Sequence, residues 1–162
     1  MFLTDLIIRE KPTHLAVAFD PPAKTFRHEL YPEYKANRSE TPELIKSALE
    51  PLIELVKSMS IPVVMKPGFE ADDVIGTLAK QAEKDGYSVF MLTPDKDYGQ
   101  LVSESIIQCK PGKSGGDNIL LGREDICNEY GIKDPSQVID ILTIWGDASD
   151  NVPGVRGVGE VG

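Results

Sequence analysis

The chain has 162 residues, 41% of them hydrophobic, and carries 26 acidic against 17 basic side chains for a net charge of −9. That apolar share suffices for one folded domain and excludes a disordered chain. No apolar run reaches the roughly 18 residues of a membrane span, and Met1 to Glu10 lacks the features of a secretory leader, so a cytoplasmic location is expected.

Leu3 to Arg9, with Leu3, Leu6 and Ile7 on one side, reads as the end of a helix. His14 to Phe19 predicts a buried strand ending at Asp20, after which Pro21 and Pro22 stop regular structure. From Ala23 to Thr41, Lys24, Arg27, His28, Lys35 and Arg38 are interleaved with Phe26, Tyr31 and Tyr34. This basic-aromatic stretch has too little apolar periodicity for core. Thr41 as N-cap and Pro42 at the first helical position open a helix to about Ser58, with Leu44, Ala48, Leu52, Leu55 and Val56 as its apolar face. Ile61 to Met65 predicts a second strand. Ala71 to Lys84 predicts a helix with Val74, Ile75, Leu78, Ala79 and Ala82 inward, ended by Gly86. Tyr87 to Thr93 and Ile106 to Cys109 are further strands, with a polar Gly-rich loop over Pro111 to Asp117. Arg123 to Tyr130 and Pro135 to Trp145 read as helices. The alternation implies an α/β sheet flanked by helices, whose ligand site lies beyond the strands' C-terminal ends.

Three acidic groups fall at such ends. Asp20 joins Glu70, Asp72 and Asp73, and the last three open a helix where free N–H groups favour negative charge. Capping alone accounts for one or two of them. Two carboxylates about 4 Å apart repel by roughly 4 kcal/mol at an effective dielectric near 20, a cost that Mg²⁺ or Mn²⁺ with hard oxygen ligands removes. Asp95 and Asp97, two apart, share a face in extended chain; taken alone they equally suit a self-capping Asp turn. Asp147 and Asp150, three apart, converge on a turn or helix start. Together the groups suit two metals that orient a water and stabilise an in-line phosphoryl displacement. Cationic neutralisation of those eight carboxylates would bring the net charge of −9 close to zero, so acidity does not exclude a nucleic-acid partner.

No rival nucleophile presents itself. Cys109 and Cys127 lie outside any CxxC pattern and far from His14 and His28, which have no ligand-like spacing. His14 reads as a strand-edge or core residue, and His28 belongs with the basic stretch. Gly154, Gly157 and Gly159 form a tight turn that suits either a plain helix-helix connection or N–H contacts to phosphate. It lacks GxGxxG order, and Lys113-Ser114 follows no GxxxxGK frame.

The blocks FDPPAKTFRHELYPEYKANR, FEADDVIGTLAKQAEKDGY, LTPDKDYGQL and GDASDNVPGVRGVGE occur in this order. They resemble the 5'-nuclease domains of bacterial DNA polymerase I and, more broadly, the PIN-like flap endonuclease family. The resemblance implies a central, mostly parallel sheet with a helical arch and a C-terminal helix-hairpin-helix element. It implies 5'-3' exonuclease or 5'-flap endonuclease activity with two Mg²⁺ ions, for which Mn²⁺ can substitute. By resemblance, Asp20, Glu70 and Asp72 are ligands of one metal with Asp73 close by, and Asp95, Asp97, Asp147 and Asp150 serve the other. Lys35 and Arg38 resemble cations at the scissile phosphate, with Tyr34 beside them. Lys24, Arg27, Arg156, Gly154, Gly157 and Gly159 are expected on the DNA backbone. The expected partners are duplex DNA with a 5' end or flap and the polymerase domain of a longer protein, in a nucleoid-associated setting. The family begins with a strand ending in a further Asp, and its hairpin continues past this chain's Gly159-Glu160-Val161-Gly162. The expectation is therefore a fragment: residues 1–146 as an α/β domain lacking its first strand, and 147–162 as the start of the helix-hairpin-helix. The alternatives are a catalytically impaired DNA-binding fragment and a PIN-type ribonuclease.

Overall fold

The computed structural model describes residues 2–112 and 116–159, so the expectations for Lys113-Ser114 and for Glu160 onward lie outside the described residues. The elements run α1 (Phe2–Glu10), β1 (Val17–Ala18), α2 (Phe26–Leu30), α3 (Glu43–Ser58), β2 (Val63–Val64), α4 (Ala71–Lys84) and β3 (Val89–Leu92). They continue with a 3-10 helix (Lys96–Leu101), β4 (Ile106–Lys110), β5 (Ile119–Leu121), α5 (Arg123–Tyr130), a 3-10 turn (Pro135–Gln137), α6 (Val138–Trp145), β6 (Gly146–Asp147) and β7 (Val152–Pro153). This is an α/β fold with several small sheets and flanking helices. Among the described residues no helix is long and apolar enough to cross a membrane.

One central sheet was expected; three small ones are found. β1 pairs with β2 in parallel, β3-β4-β5 form a mixed sheet, and β6 pairs with β7 antiparallel. The Val17 and Phe19 amides donate to Pro62 and Val64 carbonyls, so the Ala18 amide faces away from β2. In β3 the Val89 and Thr93 amides donate towards β4, so Phe90 faces away from it. No described strand joins these two edges. Helix α4, packed on both β1 and β3, is what connects the sheets. The strand β5 was not anticipated, because three apolar residues after a polar loop are too short to show alternation.

Helix ends follow local chemistry. Gly131 ends α5 in the left-handed conformation at φ +65°. Gly86, at φ +86°, follows the end of α4. The start of α3 differs by one position: Pro42 is the N-cap, and its carbonyl accepts from Ile45 and Lys46, so Thr41 caps nothing. Pro135 starts a 3-10 turn rather than α6 itself.

The core comprises Ala79, Met91, Tyr98, Val102, Ile106, Ile126 and Val138. Of the face expected for α3, only Val56 is buried; Leu44, Leu52 and Leu55 are exposed, and Leu49 and Ile53 turn inward with Val56. Apolar residues cover about half of this helix, from Leu44 round to Ile53, and packing on β2 selects the edge that carries Leu49, Ile53 and Val56. On α4, Ala79 is buried and Val74, Ile75 and Ala82 are half-buried, whereas Leu78 is exposed. His14 is exposed, with its ring edge-on to Tyr87, so it is neither strand nor core. Ile106→Ala should cost about 2–5 kcal/mol in chemical denaturation, while Leu44→Ser should stay within about 0.5 kcal/mol. A large loss from Leu44→Ser would refute this phasing of α3.

Candidate metal and nucleic-acid site

The acidic groups gather where β1 and β3 end and α4 begins. Asp20 Oδ1 accepts from the Ala71 amide at 2.7 Å, and Asp73 Oδ2 accepts from the Glu70 amide at 2.9 Å. Two orphan donors of the helix start are satisfied this way, so the capping role accounts for part of the cluster. Asp73 also takes Arg27 in a two-point pair at 2.7 and 2.8 Å. That guanidinium holds the Asp73 carboxyl below its usual range. Arg27, expected on DNA, forms a bidentate pair with Asp73 within the chain.

The basic-aromatic stretch is less exposed than its composition suggests. Tyr34 is buried, contrary to the reading of this stretch as outside the core, and its hydroxyl lies 3.0 Å from Glu70 Oε2 and 2.8 Å from Asp150 Oδ2. Burial, then the Asp150 bond, push its pKa far up, so the phenol keeps its proton as a donor. The Lys35 ammonium is 2.8 and 2.9 Å from the two Glu70 oxygens and 3.7 Å from Asp150. Arg38 donates to Asp150 and to the Ser149 carbonyl. Further bonds from Asn37 to the Ala148 carbonyl and from Asn151 to the Glu33 carbonyl stitch residues 31–38 to the 147–151 turn. His28 accepts from the Thr25 amide through Nδ1, so it closes the start of α2 rather than adding to the cationic face. Lys24 and Arg156 are exposed.

The second acidic group lies on the 3-10 helix and the β6–β7 turn. Asp95 Oδ1 accepts from the Asp97 amide, the self-capping geometry of an Asp turn. Asp97 Oδ1 is buried with no hydrogen-bond partner. Burial, then Asp95 and Asp147, push the Asp97 carboxyl up to about 6. Burial also pushes Asp147 upward, but its bonds from the Ser149 hydroxyl and amide outweigh it and leave the carboxyl below its usual range. Asp72 and Asp97 line one cleft of about 400 Å³ between α4 and the 3-10 helix, with Lys80 and Gln100 on its walls. Among the described residues, no three His, Cys, Asp or Glu side chains converge closely enough to form a metal-binding group.

Two polar residues within this region carry no sequence signal beyond being polar in apolar surroundings. Tyr98 donates to Asp72 Oδ1 at 2.6 Å, and Gln108, wholly buried in β4, donates to the Asp95 carbonyl at 2.5 Å. The glycine segment also differs from expectation. The Val155 amide donates to the Ile144 carbonyl, and a Cβ on Gly154 would collide with the Trp145 carbonyl oxygen. Gly154 therefore answers to a close backbone approach inside the chain. Gly157, at φ +82°, and Gly159 have open space where a Cβ would project.

The family model for the 5'-3' exonuclease N-terminal resolvase-like domain matches residues 1–131. The chain belongs to this 5'-3' exonuclease family. It is 44% identical over 158 residues to DNA polymerase I of Mycobacterium bovis, covering 98% of this chain and 17% of that protein. It is 44% identical over 146 residues to a 5'-3' exonuclease of Buchnera aphidicola, covering 90% of this chain and 49% of that one. The chain thus spans well under a quarter of its polymerase relatives and about half of the shorter exonuclease. Its fold is similar to that of bacteriophage T5 5'-exonuclease with bound zinc, at TM-score 0.75, 24% identity, and coverage of 97% and 60%. A T5 flap endonuclease complex with DNA and metal ions gives TM-score 0.76 at 24% identity, covering 96% and 60%.

Within this exonuclease-family fold, the Asp97 shift has a definite sign. A carboxyl held at about 6 in the folded chain and near 3.8 unfolded weakens the fold above pH 6 and ceases to do so as pH falls towards 4. Asp97→Asn in chelator should therefore raise stability by about 1–2 kcal/mol at pH 8, and the gain should shrink between pH 6 and 4. Denaturant titrations at both ends of that window measure it; a gain independent of pH would contradict the assignment.

Proposed function

We propose that this chain carries a divalent-metal-dependent 5'-3' exonuclease or structure-specific 5'-flap endonuclease activity on DNA, as the nuclease part of a DNA polymerase I. The observation that supports it most is the packing of Lys35 and Arg38 against Glu70 and Asp150, in the acidic cluster that includes the unpartnered Asp97 oxygen. Cations suited to phosphate and oxygens suited to metal share one place. The donor set fits Mg²⁺, with Mn²⁺ as substitute, since every candidate is a hard carboxylate oxygen and one of them is a buried orphan. Asp20, Glu70 and Asp72 would hold one ion, and Asp95, Asp97, Asp147 and Asp150 the other; Asp73 is committed to Arg27. Bound there, divalent ions supply positive charge to the reacting phosphate and activate water.

The chain's own contributions follow from position. Lys35 and Arg38 turn from their carboxylates to the charge developing on the phosphate. Lys24 and Arg156, both exposed, contact the DNA backbone, with the Gly157–Gly159 turn beside it in a helix-hairpin-helix start. The sequence has no identifiable recognition helix with base-reading residues, so selection is expected to follow DNA shape and the free 5' end. The names of the relatives, DNA polymerase I and 5'-3' exonuclease, agree with this reading. A nucleoid-associated location goes with such a substrate.

A second reading, DNA binding without cleavage, is favoured by one observation: no three metal-capable side chains converge among the described residues. Labelled 5'-flap duplex separates the two. Cleavage in Mg²⁺, lost in Asp97→Asn and Asp72→Asn, supports the nuclease; binding in Ca²⁺ with no cleavage in Mg²⁺ supports the second. Preferred cleavage of single-stranded RNA would refute both. Lys35→Ala should lower turnover at least tenfold while changing duplex affinity by less than about threefold, as expected for a group acting on the transition state. Equal losses in the two would reduce Lys35 to a binding residue.

A further inference from the structure

Tyr98 follows directly on Asp97 in the 3-10 helix, and its ring sits in the core with Ala79, Met91, Val102, Ile106, Ile126 and Val138. Only 3% of the residue is exposed. A core position of this kind needs no hydroxyl for its packing, which an apolar ring of the same shape supplies. A buried hydroxyl there costs stability unless it finds a partner. Its partner is Asp72 Oδ1, at 2.6 Å, within the range of a hydrogen bond to an ionised carboxylate.

The bond does more than fill a polar requirement. Asp72 belongs to the first turn of α4, whereas Tyr98 shares its 3-10 helix with Asp97 and adjoins Asp95. The hydroxyl therefore spans the two acidic groups and fixes the distance between the elements that carry them. It also occupies one of the two Asp72 oxygens, which leaves Oδ2 as the atom free to meet a cation. On the opposite side of the same turn, Gln108 holds the Thr93 and Asp95 carbonyls from within the core.

We propose that Tyr98 is a positioning residue, which orients Asp72 as a single-oxygen metal ligand and registers the Asp20–Glu70–Asp72 group against the Asp95–Asp97 group. This rests on the metal-dependent reading above. Outer residues that hydrogen-bond a ligand commonly change metal affinity by one to two orders of magnitude when removed.

The test is calorimetric titration of Mn²⁺ into the whole chain, in parallel with circular dichroism and thermal unfolding in chelator. Tyr98→Phe keeps the ring and removes only the hydroxyl; it should remain folded and bind Mn²⁺ about tenfold more weakly. Val102→Ala loosens the same core without touching Asp72, and should leave the Mn²⁺ affinity within twofold. Unchanged or tighter binding by Tyr98→Phe would overturn the proposal, as would an equal weakening in Val102→Ala, which would reduce Tyr98 to packing. Mn²⁺ uptake by the wild-type chain with no Tyr98→Phe effect refutes only the positioning role. No uptake by the wild-type chain refutes the metal-dependent reading and this role together.

Discussion

Carboxylates gathered at the ends of β1 and β3 repel one another, and the chain holds most of them together by answering them with donors. Arg27 serves Asp73, Lys35 serves Glu70, Arg38 serves Asp150, and the hydroxyls of Tyr34 and Tyr98 serve Glu70, Asp150 and Asp72. The path of residues 31–38 depends on this balance. Lys35 adopts φ +57°, a left-handed conformation that costs a non-glycine residue about 1–2 kcal/mol. Its amide bond to the Asp150 carbonyl and its ammonium bonds to Glu70 offset that cost. The left-handed turn is what brings both ends of Lys35 onto the two acidic segments.

The same balance explains why Asp97 stands apart. Glu70, Asp73 and Asp150 have cations within reach, and Asp147 has the Ser149 donors. Asp97 lies on the 3-10 helix, where Lys96 lowers its pKa only in part and Oδ1 is buried without a hydrogen bond. Burial is the first cause of its raised pKa, and repulsion from Asp95 and Asp147 adds to it.

α4 is the mechanical link between the sheets and the site. It packs on both β1 and β3, which share no ladder among the described residues, and its first turn carries Glu70 through Asp73 at or beside its start. Core packing around Ala79 and Ile106 therefore fixes the acidic turn relative to the 3-10 helix, with the Tyr98–Asp72 bond at the join.

Much of this was written in local sequence. The bounds of α4 and α5, the Gly86 ending and the grouping of eight carboxylates at segment ends follow from caps, periodicity and residue type, which act over a few positions. What needed the tertiary structure were contacts between distant segments: Arg27 with Asp73, Tyr34 with Asp150, Tyr98 with Asp72. Sequence alone identifies Arg27 and Lys35 as cations near aromatics, equally fit for phosphate or for carboxylate; only the folded chain decides which they meet. The phase of α3 belongs to the same class, since its apolar half is broad and leaves the choice of the buried edge to β2. Residue type and spacing thus determined which chemistry is available here. Long-range packing, which brings together groups separated by 26 to 116 positions, decided which groups are already satisfied and which remain free to act.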